Sequence, residues 1–244
     1  VIPQEAGQKK QEFSMETKVV RYCFKMQDGS REDFRLELNA STLELEGNIP
    51  DPLPQWTRLD FHQCPNCPLD VSTHPHCPLA ANIAGIVQRF DGLISHDKIR
   101  VDVTTEERRI TQHTTAQIGI SSIMGLVIAT CGCPRTAFFK PMAWFHLPMA
   151  SEEETIFRAT SMYLLAQYYL KKEGRPADFE FEGLSRIYHN IQIVNIAVSK
   201  RLREATRTDS SLNAIVILDS YAQTLPLVIE ESLEEIRPLF STFL

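Results

Sequence analysis

Four cysteines in this chain are each followed directly by proline: Cys64, Cys67, Cys77 and Cys133. With 6 cysteines and 14 prolines in 244 residues, four such steps are more than composition would place by chance. Cys64-Pro65-Asn66-Cys67 is a C-x-x-C turn, which folds back so that two sulfurs can face one point. Zn²⁺ and iron–sulfur clusters are both held by four thiolates. Proline after each cysteine fixes the local backbone and removes a donor, which suits a rigid ligand loop. We therefore expect Cys64, Cys67, Cys77 and Cys133 to form one metal site. Its cofactor is expected to be structural zinc or a [4Fe-4S] cluster. Cys-Pro-x-Cys is a common zinc-knuckle sequence. A trio of cysteines joined by a remote Cys-Pro is an iron–sulfur habit.

Other residues near this set could join it. Cys131 precedes Gly132-Cys133 and is balanced between packing and ligation. His62 and His76 would each complete a three-cysteine, one-histidine site. His146, in Trp144-Phe145-His146-Leu147-Pro148, is expected as a buried, hydrogen-bonded histidine. Cys23 lies on an apolar strand and is expected only to pack. A different chemistry uses the same turn: a dithiol oxidoreductase, with Cys64 as nucleophile and Cys67 as resolving thiol. Such enzymes place C-x-x-C between a strand and the helix it opens. Leu59-Asp60-Phe61 could be the strand, but Pro68 and Pro75 delay any helix to Pro78. No catalytic residue is assigned.

The elements that position these residues follow from the hydrophobic pattern. Val19 to Met26, Phe34 to Leu38 and Leu43 to Glu46 alternate as half-buried strands, with Asp28-Gly29 as a hairpin turn. They predict a small antiparallel meander. Ile99 to Val103 is a further short strand, which Glu107 to His113 could pair. Pro78 can open a helix running to about Phe90, with Cys77 at its N-terminus, where the helix dipole favours an anionic sulfur. Thr115 to Thr130 is apolar nearly all round, which predicts a central helix closing at Cys131-Gly132. Cys133 then falls just past its end. Ser151 with Glu154 forms a capping box for a helix to about Lys172, and Gly174-Arg175-Pro176 stops it. A third helix runs from about Gly183 to Arg207, and a last one from Ser211 to Phe240 with a break at Pro226.

Composition excludes some classes. Hydrophobic residues make up 43% and charged residues 23%, ordinary for a globular chain. Lys and Arg number 25 against 31 Asp and Glu, a net charge of −6. That balance offers no footprint for nucleic acid or an anionic membrane. The most apolar run, Ile118 to Thr130, falls short of the roughly 20 residues of a membrane span. The first residues carry no secretory pattern, so a cytoplasmic, reducing setting is expected. Phosphate-loop, dinucleotide, zincin and hydrolase-elbow motifs do not occur. Lys200-Arg201-Leu202-Arg203 reads as a solvated helix face. Glu230, Glu231, Glu234 and Glu235 form an acidic face, a surface for a protein partner or for self-association.

The run from His62 to Cys77, together with Cys131-Gly132-Cys133-Pro134, Phe145-His146-Leu147-Pro148 and the helix from Ser151, resembles a family of bacterial proteins of unknown function. The resemblance covers Val19 to Leu170. It implies a bacterial, cytoplasmic protein and carries over no activity. The expected fold class is α+β. Residues 1–16 form a flexible N-terminus, residues 17–134 a β-meander with a Cys-rich α/β core, and residues 135–244 a helical region packed on it. The leading function is metal binding, with a structural or electron-transfer role.

Overall fold

The computed structural model describes residues 17–47 and 49–244, apart from the side chains of 221 and 224–232. The expected N-terminal arm and the side chains of Glu230 and Glu231 lie outside the described residues. The fold is α+β.

Alternating strands build one sheet. β1 (Thr17–Met26) and β2 (Arg31–Asn39) form a hairpin whose turn holds Gly29 at φ 86°. β3 (Leu45–Glu46) adds to β2, β4 (Lys98–Thr104) pairs with β1, and β5 (Arg109–Thr115) pairs with β4. The order is β3-β2-β1-β4-β5 and every pairing is antiparallel. The expected meander is thus three strands of a five-stranded sheet. On its inner face Val20 pairs with Leu36, and Tyr22 lies between Phe34 and Val103. These side chains are buried, as period-two alternation requires.

Helices cover that face. α1 (Pro78–Arg89) opens with proline at its first position and Cys77 as N-cap. α2 (Ala116–Thr130) is central, with Ile120, Ile123, Met124 and Val127 fully buried. It lies so close to the sheet that a β-carbon on Gly119 would stand 2.9 Å from Ile99 and from Val101. A short α3 (Lys140–Trp144) follows. α4 (Glu152–Lys172) begins with the full capping box of Ser151 and Glu154. α5 (Glu182–Ala205) and α6 (Ser210–Ile236) form a long antiparallel pair.

Two apolar clusters result. The larger joins the sheet, α1 and α2 to Val194, Val198 and Leu202 of α5 and to Ala214 and Ile215 of α6. The smaller joins α4, α5 and α6 through Ile156, Ala159, Tyr163, Leu184, Tyr188, Ile191 and Ala222.

One expectation is corrected: α6 does not break at Pro226. Proline has no N–H for the carbonyl four residues earlier, Ala222. The Gln192 side chain donates to that oxygen at 2.8 Å, so α5 supplies the bond that α6 cannot. Among the described residues, no helix is long and apolar enough to cross a membrane.

Candidate metal centre

The C-x-x-C turn is closed by Cys67 N–H donating to the Cys64 carbonyl at 2.9 Å. Two contacts fix it in place. The Asn66 amide donates to the Asn190 carbonyl of α5 at 3.1 Å, and Arg135 Nε donates to the Asn66 carbonyl at 2.7 Å. Cys77 is held separately. Its N–H donates to the Thr57 carbonyl at 2.8 Å, beside an isolated bridge between Arg58 and His76. Leu59 N–H donates to the Pro75 carbonyl at 2.9 Å in the same short ladder. Cys133 follows Gly132, whose φ of 80° is the left-handed turn that closes α2. Its carbonyl accepts from Thr136 N–H at 3.1 Å.

These three segments converge. Cys64, Cys67, Cys77 and Cys133 line one small cavity of about 20 Å³, roofed by Val194 and Val198 of α5. That is room for about one water-sized body. Among the described residues, no three His, Cys, Asp or Glu side chains stand in a metal-holding arrangement. The four cysteines share a cavity rather than grip a point. All six cysteines of the chain are unpaired thiols.

Two arginines join the cysteines at this cavity, Arg135 and Arg201. The expectation of a solvated face at Lys200 to Arg203 fails for Arg201, which is 1% exposed. Its guanidinium donates to the carbonyls of Trp56 (2.8 Å), Arg58 (2.7 Å) and Leu59 (3.2 Å). The physical reason is periodicity. Arg201 lies three residues after Val198 on the stripe that already carries Leu184, Ile191 and Val194, so helix geometry turns it inward. That spacing was the available signal. Arg135 had none beyond its place after Cys133-Pro134.

The electrostatics oppose free thiolates here. Burial pushes the Cys64 thiol up to about 12, and the neighbouring Cys77, Cys133 and Cys67 add to it, while Arg201 acts the other way. Burial also raises Cys133. Arg201 is itself lowered by burial, against the pull of Cys77, Cys64 and Cys67. A buried cation bonded only to neutral carbonyls calls for a nearby negative charge.

The other sequence candidates stand apart. His62 Nε2 meets Glu204 Oε1 at 2.6 Å. His76 Nδ1 meets the Thr57 hydroxyl at 2.8 Å. Neither lines the cavity. Cys131 is buried, with its sulfur 3.1 Å from the Ile128 carbonyl, and its thiol is pushed above the usual range by burial. Cys23 is half-buried on the outer face of the sheet, paired in register with Asp33 and Asp102, and belongs to neither apolar cluster. His146 is paired with the Tyr22 hydroxyl at 2.5 Å. The segment around Leu59 is a turn rather than a strand, and a helix begins only at Pro78, so the C-x-x-C lacks the strand-then-helix setting of dithiol enzymes.

No curated protein and no solved structure matches this chain. A family model matches residues 20–241, well past the Leu170 limit of the sequence resemblance and through all the helices that enclose the cavity. Nearly all of the sheet, the cysteine segments and the α5 roof thus fall within the matched stretch, and the protein belongs to the family described as Domain of unknown function (DUF6901).

Proposed function

We propose that Cys64, Cys67, Cys77 and Cys133 bind a single zinc ion that fastens three separate segments of the chain together. The observation that carries this reading is their convergence on one small cavity beside buried Arg201. Cysteine redirects its sulfur by a χ1 rotation, so four thiols around one cavity need not hold their metal-bound rotamers before an ion enters. A four-thiolate zinc site carries two negative charges. Arg201 and Arg135 carry two positive ones. Together they cancel, which removes the penalty of a buried arginine with no carboxylate. The thiols would give up their protons as the ion enters, as metal binding to cysteine requires.

Size favours zinc over a cluster. A [4Fe-4S] cube is several atoms across, whereas the cavity is about 20 Å³. The role that fits is structural. The ion would tie the loop 57–77 to the start of α1 and the end of α2, leaving any partner to be met elsewhere on the surface. A bacterial, cytoplasmic setting suits thiols that must stay reduced.

The dithiol reading is the alternative, and electrostatics weigh against it. A nucleophilic thiol needs a depressed pKa, and that of Cys64 is pushed up to about 12. Elemental analysis with an absorption spectrum, on protein purified without oxygen, tests both. One zinc per chain and no colour is the expected result, with zinc lost in Cys64→Ser and in Cys133→Ser. Full metal in both variants would sink the ligand assignment. Brown protein with iron and sulfide would replace zinc with a cluster. A metal-free protein in which Cys64→Ser abolishes thiol exchange and Cys133→Ser does not would establish the dithiol enzyme instead.

A further inference from the structure

A second and much larger cavity, of about 510 Å³, lies between the two apolar clusters. That is within the range of small-molecule sites. Ser121, Gly125 and Ala129 of α2 line one side, and Tyr188, Ile191 and Asn195 of α5 another. Its lining is mostly apolar, including Ile118, Leu126, Met142, Leu147 and Leu218. Nothing in the zinc reading uses it.

Polar side chains are the minority of its lining, and Arg158, Tyr188 and Asn195 among them have donors to spare. Arg158 of α4 donates through Nη2 alone, to the carbonyls of Met142 (2.8 Å) and Phe145 (3.0 Å). Among the described residues it enters no ion pair. Glu154 acts on it through space, but Glu154 Oε2 accepts the Ser151 N–H in the helix cap. Tyr188 is 5% exposed, and its hydroxyl has no hydrogen-bond partner among the described residues. Asn195 is 4% exposed and its Nδ2 is buried without an acceptor. His146, committed to Tyr22, adds no second cation: burial holds it neutral, with its pKa down to about 3. The site therefore offers one cation, spare donors and a long apolar wall.

We propose that this cavity binds a monocarboxylate with a medium-length aliphatic chain. Its carboxylate accepts from Arg158 and Tyr188, and its chain lies against α2 at the seam between the two clusters. An arginine fork matches a carboxylate's two oxygens. A single cation with the Glu154 carboxylate nearby suits a monoanion better than a doubly charged phosphate.

Calorimetric titration of the full chain with decanoate, decyl phosphate and decanol tests this. Decanoate is expected to bind one per chain, with decanol about tenfold weaker or more. Arg158→Gln should weaken decanoate about tenfold and leave decanol unchanged. Gly125→Leu gives a second variant that does not depend on the charge. A β-carbon there meets only Leu218, at 3.6 Å, and the larger side chain should fill the cavity and abolish binding of both ligands. Circular dichroism establishes that each variant is folded. Equal binding of decanol and decanoate, tighter binding of decyl phosphate, no decanoate binding, or unchanged binding in Gly125→Leu would each overturn the proposal. Zinc content reads the other site independently.

Discussion

Arg201 concentrates several obligations in one side chain. It satisfies three carbonyls of the segment 56–59 and places a positive charge beside four buried thiols. Arg201→Met would keep much of the side-chain volume and strand the Trp56 and Leu59 carbonyls, while the Arg58 carbonyl would keep the Phe61 N–H at 3.2 Å. Leaving buried acceptors unpaired costs about 1–3 kcal/mol, so a loss of roughly 3 kcal/mol is expected in urea unfolding at fixed metal content. A change below about 1 kcal/mol would mean that these bonds are readily replaced by water. His146 sets a pH limit of its own. Its folded pKa is near 3 against an ordinary 6.5, so below pH 6.5 the unfolded chain takes up a proton that the folded chain refuses. Stability is full above 6.5 and falls as pH drops towards 3. By pH 5 the full loss is roughly 2 kcal/mol, reduced to about 1 by solvent in the adjoining cavity. Melting temperatures at pH 7 and pH 5 check this. A His146→Gln variant, if folded, should lose that part of the acid sensitivity, and an unchanged pH profile would count against the assignment.

At the scale of elements, the pattern of apolar residues was most legible where one face is wet. β1, β2, α1 and the capped α4 all fall close to their expected bounds, because alternation, Pro78 and the Ser151–Glu154 box are local signals. The partnership of β1 with β4 was not legible, since nothing local to either strand encodes a neighbour some eighty residues away. Pro226 misled for the opposite reason. Its local rule is sound, and Gln192 on another helix offsets it. Likewise the cysteine set could be read from Cys-Pro steps, but Arg201 required following the α5 stripe through a run of charges. α2 offers a paired test of close packing. A methyl group at Gly119 would press on Ile99 and Val101, and overpacking costs about 1–3 kcal/mol, less the ~1 kcal/mol gained in helix propensity. Gly119→Ala should therefore destabilise by about 1 kcal/mol. At Gly125 there is room, and Gly125→Ala should stabilise by about 0.5–1 kcal/mol. Chemical denaturation of the two variants reads the difference. Equal effects would mean that α2 can retreat from the sheet.

For the whole molecule, the cysteine cavity lies where the loop 57–77, the start of α1, the end of α2 and α5 meet. The loop 57–77 is anchored by a short ladder, by the Asn66 bonds to α5 and by Arg201. Removing the proposed ion should free that loop and the turn at Cys133 first, while the β1–β2 ladder holds. Hydrogen exchange before and after stripping with a chelator should show faster exchange at Cys67 and Thr136 and little change at Val20 or Leu36. Uniform acceleration would point to a metal that supports the whole fold instead. The roof of the cavity has a further consequence, which concerns time. Val194, Val198 and Arg201 belong to α5, and the ribosome makes them only after all four cysteines. At about 5–20 residues per second, the interval from Cys133 to Arg201 lasts roughly 3–14 s. For those seconds the nascent chain carries four thiols without their α5 cover and without the Arg201 charge. The newborn protein is then most open to oxidation, and to capture of whichever metal the cell leaves free.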